Sequence, residues 1–243
     1  MSIVTLLYNE ILYRPLFNAL IFLYNVIPGH DFGAAIIALT LAIRLALYPL
    51  NQKAIKSQKA LQELQPKIKE IQQKYKNEKE KQGTALMGLY KTHKINPASG
   101  CLPFFIQFPI LIALFSVFKS GLDPGKLDGL YSFVAHPGVV SNMFLGLINL
   151  AEKNYFLAIL AGALQFLQTK MMMPKRPASQ TPGPDFSSMM NKQMLYFFPI
   201  LTTFFAASLP AGLAVYWVAM TVFGIAQQYL AMKKSDRQYP GQK

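Results

Sequence analysis

The 243-residue chain is 52% hydrophobic and only 14% charged, yet its formal net charge is +13, a balance foreign to soluble globular domains and ordinary for membrane proteins with basic loops. Its single cysteine, Cys101, excludes an intrachain disulfide and a cysteine-based zinc site, and its three histidines fall in separate loops rather than in a metal cluster. No GxxxxGK[ST] loop occurs, and no apolar run holds an acid or histidine that would activate a serine, so the chain reads as a non-enzyme without cofactor or small-molecule substrate.

Residues 1–30 come first. The stretch IVTLLYNEILYRPLFNALIFLYNVI is long enough to cross a bilayer but carries Asn9, Glu10, Arg14, Pro15, Asn18 and Asn25. It lacks a basic n-region and a small-residue cleavage site, so it does not read as a signal peptide. With Glu10 and Arg14 spaced i,i+4, it reads as an amphipathic helix on the outer interface. A sixth span with its N-terminus inside is the alternative, and the charges permit both.

Next is Phe32 to Leu50, FGAAIIALTLAIRLALYPL, a run of about 28 Å as a helix, close to one bilayer core. Arg44 lies within it. An arginine keeps its charge, at a cost of about 3 to more than 10 kcal/mol in hydrocarbon, depending on its access to water. It has two readings: snorkelling over the roughly 9 Å to Leu50, or a functional charge whose partner comes from outside. No apolar run contains an acid to pair it. Thr40 shares its helix face at i,i+4.

Residues 51–98 hold eleven Lys against four Glu, which marks this loop as cytoplasmic. Within 51–94, Leu61, Leu64, Ile68, Ile71 and Tyr75 form an apolar stripe, and Leu86, Leu89 and Tyr90 a second. A helical hairpin is expected, with Gly83 as the break and Pro66 starting or kinking a helix. Lys59, Lys67, Lys74 and Lys76 are its candidate contact residues. Such a charge run is most simply a solvated face; anionic lipid, at about 1 kcal/mol per close Lys, ribosomal RNA and nascent chain are sharper alternatives.

Further apolar runs at about 101–119, 154–173, 193–209 and 211–231 bring the candidate spans to five. Residues 119–153 hold three Lys against three acids, residues 170–192 four basic residues against Asp185, and the tail 232–243 four against Asp236. The alternation places Asp31 outside and the C-terminus in the cytoplasm. Val139–Leu150 is too short to cross and, with Pro124, Gly125, His136, Pro137 and Gly138, reads as an outer loop touching the interface. Pro174–Pro184, PKRPASQTPGP, is a linker between spans, Cys101 packs near the membrane edge, and the basic tail suits a ribosome or a lipid surface. The fold class is therefore an all-α polytopic membrane protein.

The polar groups within the spans are neutral and scattered: Thr40, Gln107, Gln165, Gln168, Thr202, Thr203, Trp217 and Thr221. Each alone is most simply an interhelical hydrogen bond. Together they would line a wet cavity around Arg44, and Pro103, Pro109 and Pro199 would keep the bundle from packing shut.

The stretches LTLAIRLALYPLNQKAIKSQKALQELQPKIKEIQQKY, LYKTHKINPASGCLPFFIQFPILIALF, FLQTK and FFPILTTFFAASLPAGLAVYWV resemble the YidC/Oxa/Alb membrane insertase family, in the form of a short bacterial member without the large periplasmic domain. The resemblance covers most of residues 30–231. It implies five spans around a hydrophilic groove open to the cytoplasm and to lipid but closed on the outer side. It carries the groove arginine onto Arg44 with Thr40 one turn before it, the groove glutamine onto Gln168, the groove aromatic onto Trp217, and the IQFP element onto Gln107. Thr221 stands where relatives often carry Asn. No lipobox cysteine is present, so lipoprotein anchoring is not expected.

The function so implied is insertion of nascent membrane proteins, with Arg44 capturing an acidic N-terminal tail. Nascent membrane proteins and the bilayer are the expected partners, with the ribosome, the signal recognition particle pathway and the Sec translocon as further candidates, at the bacterial inner (cytoplasmic) membrane. Two other classes stay open on the residues: a transporter or channel with Arg44 as an anion site, and a membrane-embedded assembly chaperone that translocates nothing.

Overall fold

Apolar runs this long satisfy their backbone amides in lipid only as helices. The computed structural model, which describes residues 3–96, 102–121, 129–173 and 186–238, is helical apart from one two-stranded hairpin. Cys101, Pro124, Gly125, the Pro174–Pro184 linker and the last five residues of the tail lie outside the described residues.

Helix α1 (Ile3–Leu7) passes through a π-helical segment, Tyr8–Tyr13, into α2 (Arg14–Val26). Pro15 supplies no N–H in the first turn of α2, and the helix widens just before it. One face of α2 buries Phe17, Leu20, Ile21 and Tyr24 against the bundle, while Phe22 and Val26 stay exposed. The expected pair forms on the other face, with Arg14 Nη1 3.3 Å from Glu10 Oε2.

Helix α3 (Phe32–Ala46) is capped by Asp31, whose Oδ1 accepts from Ala34 N at 2.9 Å. The straight run expected to Leu50 does not form. The helix ends at Ala46, and α4 (Tyr48–Glu63) leaves at 65° after Leu47. Pro49, in the first turn of α4, explains the break, because its ring would clash with the carbonyl four residues earlier in a continuous helix.

Helix α5 (Gln65–Lys74), with Pro66 in its first turn, packs on α6 (Lys79–Thr92). Leu64 and Ile68 of the expected stripe are buried. The turn falls at residues 75–78, not at Gly83, which lies inside α6. A glycine weakens a helix by only about 1 kcal/mol, less than the surrounding helix formers of α6 supply.

The remaining helices are α7 (Leu102–Gly121), α8 (Tyr155–Met171), α9 (Phe186–Ser208) and α10 (Ala211–Gln238). Helix α8 lies between α9 and α10, α10 also packs on α3, and α2 covers α3 and α7. A Cβ on Gly162 would collide with the Thr203 hydroxyl, so glycine is what lets α8 and α9 approach. Pro109 and Pro199 are inside α7 and α9, and α10 runs on through the first basic residues of the tail.

Among the described residues, one helical stretch, Ala211–Lys233, is long and apolar enough to cross a membrane by itself; α3 and α4 qualify as a bent pair, and Phe105–Ser120 and Gln193–Ser208 are shorter apolar segments.

Residues 129–152 close one end of the bundle. The strands β1 (Met143–Phe144) and β2 (Ile148–Asn149) pair antiparallel, and Phe144 lies on Gly33, where a Cβ would collide with its ring. Buried Asn18 clasps the loop twice, donating to Gly129 O at 3.2 Å and accepting from Tyr131 N at 2.6 Å. Asn25 donates to Ala135 O at 2.7 Å, and Ala211 N to Glu152 O at 2.7 Å. The α5–α6 hairpin leaves from the opposite end.

Candidate functional site

Arg44 stands in the last turn of α3, where unpaired carbonyls at the helix end favour a cation. The bend at Leu47 puts it there: in an uninterrupted helix to Leu50 it would lie in mid-run. Its side chain is half-buried, and it has no hydrogen bond or ion pair among the described residues.

Helix α10 brings Tyr216 within electrostatic reach of Arg44. The Tyr216 side chain is buried, and Gln107 of α7 donates from Nε2 to its hydroxyl. Three helices thus meet at one polar point: α3 through Arg44, α10 through Tyr216 and α7 through Gln107. Sequence reading selected Arg44 and Gln107 and passed over Tyr216 for its neighbour Trp217. The signal available was that a buried tyrosine hydroxyl requires a partner.

The other expected residues distribute as follows. Thr40 is buried and donates to Ile36 O of its own helix at 2.6 Å. Trp217 is half-buried against the apolar core. Gln168 lies on Gly224, where any Cβ would strike its amide. Thr221 is fully buried, and its Oγ1 has no partner.

Trp217, Thr221, Gly224 and Gln228 follow one another at spacings of four, three and four, so they form a single stripe on α10. Its far end meets α4. There Gln227 donates from Nε2 to Tyr48 O at 3.2 Å, across the bend after α3. Asn51 Nδ2, Gln52 Oε1 and Gln228 Oε1 are buried atoms without a partner. From Trp217 to Gln228 this polar seam is about 16 Å long, and Tyr216 and Gln227 share the neighbouring face of α10. Buried polar atoms are rarely unpaired, so a row of them marks where water or a ligand's polar groups enter. Asn51 and Gln52 lie just past the first apolar run, and Gln227 and Gln228 near the end of the last one, where amides look unremarkable in sequence.

The lysines proposed for the hairpin do not join this seam. Lys67, Lys74 and Lys76 are exposed on α5 and its turn, with Lys67 Nζ 3.4 Å from His93 Nε2 and Lys74 Nζ 5.4 Å from the centre of the Tyr75 ring. Lys59 is half-buried on α4. A shallow surface hollow lined by Tyr75, Glu80, Lys81, Thr84 and Ala85 belongs to the hairpin and holds none of the seam residues. Among the described residues no group of three or more His, Cys, Asp or Glu is placed to hold a metal.

Residues 22–238 match the family model described as 60Kd inner membrane protein. Over 225 residues the chain is 36% identical to a protein of Fusobacterium nucleatum named membrane protein insertase YidC, covering 92% of this chain and 98% of that one. A protein of the same name from Nitratidesulfovibrio vulgaris is 32% identical over 222 residues, covering 91% of this chain and 38% of its own length. One from Chlamydia caviae is 35% identical over 234 residues, covering 92% and 28%. The chain thus spans nearly all of the first relative and well under half of the two longer ones.

Proposed function

This chain belongs to the YidC/Oxa/Alb family, the 60Kd inner membrane proteins, and from that premise we propose how it works as a membrane protein insertase of the bacterial inner membrane. The helices α3, α7, α8, α9 and α10 cross the bilayer, with the α5–α6 hairpin and the basic tail in the cytoplasm and residues 129–152 outside. The lysine excess of residues 51–98 supports that orientation. The seam along α10 is the wall of a hydrophilic groove, wetted from the cytoplasmic end and shut at the outer end by the clasped loop.

The observation that carries this reading is the unpaired charge of Arg44 beside a helix whose seam holds the unpartnered Thr221 hydroxyl and, at its far end, the unpartnered amides of Asn51, Gln52 and Gln228. An acidic tail entering from the cytoplasm exchanges water for Thr221, Gln168 and Gln107, then meets Arg44 where the reduced dielectric strengthens the attraction. The apolar segment behind the tail partitions into lipid beside the groove. The membrane potential then favours outward passage of the negative tail, by about 2.3 kcal/mol per charge per 100 mV.

Nascent membrane proteins are the substrates. The exposed lysines of the hairpin make first contact with the substrate or with the ribosome, the signal recognition particle pathway or the Sec translocon that delivers it. The family is one of insertases rather than of catalysts, and the groove lowers a barrier without making or breaking covalent bonds.

Site-specific photocrosslinking tests the route. With a stalled single-span substrate, photoreactive residues at Gln107, Trp217 and Thr221 should link to the acidic tail, and one at lipid-exposed Phe204 should not. Equal crosslinking at Phe204 would contradict a groove route.

A further inference from the structure

The tip of the hairpin at residues 143–149 violates two rules of soluble proteins at once. Leu145 has φ +52°, a left-handed conformation that costs an L-residue roughly 1–2 kcal/mol and that hairpin tips normally assign to Gly, Asn or Asp. It is also 68% exposed, and Leu147, on the other side of Gly146, is 82% exposed. Around them Phe133 and Val139 are exposed as well, and residues 129–150 contain no Lys, Arg, Asp or Glu. Exposed apolar groups gathered with no charged side chain among them mark a surface made for apolar surroundings.

The tip is tied to α3. Leu145 N donates to Asp31 Oδ2 at 2.6 Å, so one carboxylate both caps α3 and holds the turn. Phe144 rests on Gly33. Ser141 N donates to the Tyr24 hydroxyl at 3.0 Å, and Leu150 N to Asn142 O at 2.8 Å. Helix α2, whose Tyr24 and Asn25 hold the loop, also leaves Phe22 and Val26 exposed.

Helix α3 has 15 residues, about 22 Å against a hydrocarbon core of about 30 Å. Matching of hydrophobic length therefore does not set its depth. We propose that the hairpin at 143–149 inserts Leu145 and Leu147 into the acyl region of the outer leaflet, and that this anchor, acting through Asp31 and Gly33, sets the depth of α3 and hence of Arg44. From Asp31 at the outer interface, Arg44 lies about 20 Å down, in the inner half of the bilayer where the groove is wet. Lipid is the occupant because residues 129–150 carry no charged side chain, the exposed side chains of the tip are apolar, and the tip is built at the end of a crossing helix. The inference rests on the insertase orientation given above.

The test uses the full chain with Leu147→Cys in a Cys101→Ser background, labelled with an environment-sensitive fluorophore and reconstituted in phosphatidylcholine/phosphatidylglycerol vesicles. A blue-shifted emission quenched by shallow nitroxide-labelled lipid is expected. Water-like emission, or shielded emission that no lipid quencher reaches, as a protein partner would give, overturns the anchor. In the full-length double variant Leu145→Asn, Leu147→Asn, the detergent melting temperature should hold or rise, because Asn suits the left-handed turn, while insertion of an acidic-tailed substrate falls severalfold. Unchanged insertion overturns the depth-setting role. A buried, lipid-quenched tip in a protein whose insertion ignores Arg44 would sink tail capture and leave the anchor standing.

Discussion

Tyr216 and Thr221 place opposite demands on one helix. The Tyr216 hydroxyl accepts from Gln107 beside Arg44, so Tyr216→Phe removes the partner of a half-buried amide and should cost about 0.5–1.5 kcal/mol, read as a lower melting temperature in detergent together with weaker insertion. The Thr221 hydroxyl has no partner, so Thr221→Val removes an unmet demand and should leave stability unchanged or raise it by about 1 kcal/mol, while insertion declines. A loss of stability in Thr221→Val would show that the hydroxyl is already satisfied. Arg44 was legible in the sequence because a charge in an apolar run has no inexpensive explanation. Tyr216 was not, since a tyrosine in such a run passes for an ordinary apolar residue, and Gln227 and Gln228 lay where amides draw no notice.

At the scale of elements, glycine and proline carried most of what the sequence revealed, and most of what it misled on. Pro66 does start a helix, and Pro49 ends the run that holds Arg44. Gly83 marks no turn: it is inside α6 with open space around its Cα. Gly83→Ala should therefore stabilise the protein by roughly 0.5–1 kcal/mol, seen as a higher melting temperature, whereas a drop would restore Gly83 as a turn residue. Gly224→Val should do the reverse. Its side chain meets the end of the flexible Gln168 side chain, so displacing that amide should cost about 1 kcal/mol. Neither glycine's role was visible in one dimension, because a glycine that ends a helix and one that admits a neighbour look the same until the neighbour is placed.

For the whole molecule, the helical class and the lysine-rich hairpin followed from composition and spacing, and the order of the matching stretches was enough to reveal the family. The bend after Ala46 was not foreseen: the apolar run continues through it to Leu50, and Pro49 together with the packing of α4 against α7 and α10 sets the new direction. That bend gives the molecule its division of labour, with a clasped loop at one end of α3, and at the other a charge where the helix stops and the way to the basic hairpin. The most direct test is insertion of a single-span substrate with an acidic N-terminal tail into vesicles containing wild-type protein, Arg44→Ala or Arg44→Lys, each with acidic and neutralised tails. Insertion should collapse in Arg44→Ala, be partly retained in Arg44→Lys, and depend far less on position 44 when the tail is neutral. Wild-type insertion of the acidic-tailed substrate by Arg44→Ala would contradict tail capture by this charge.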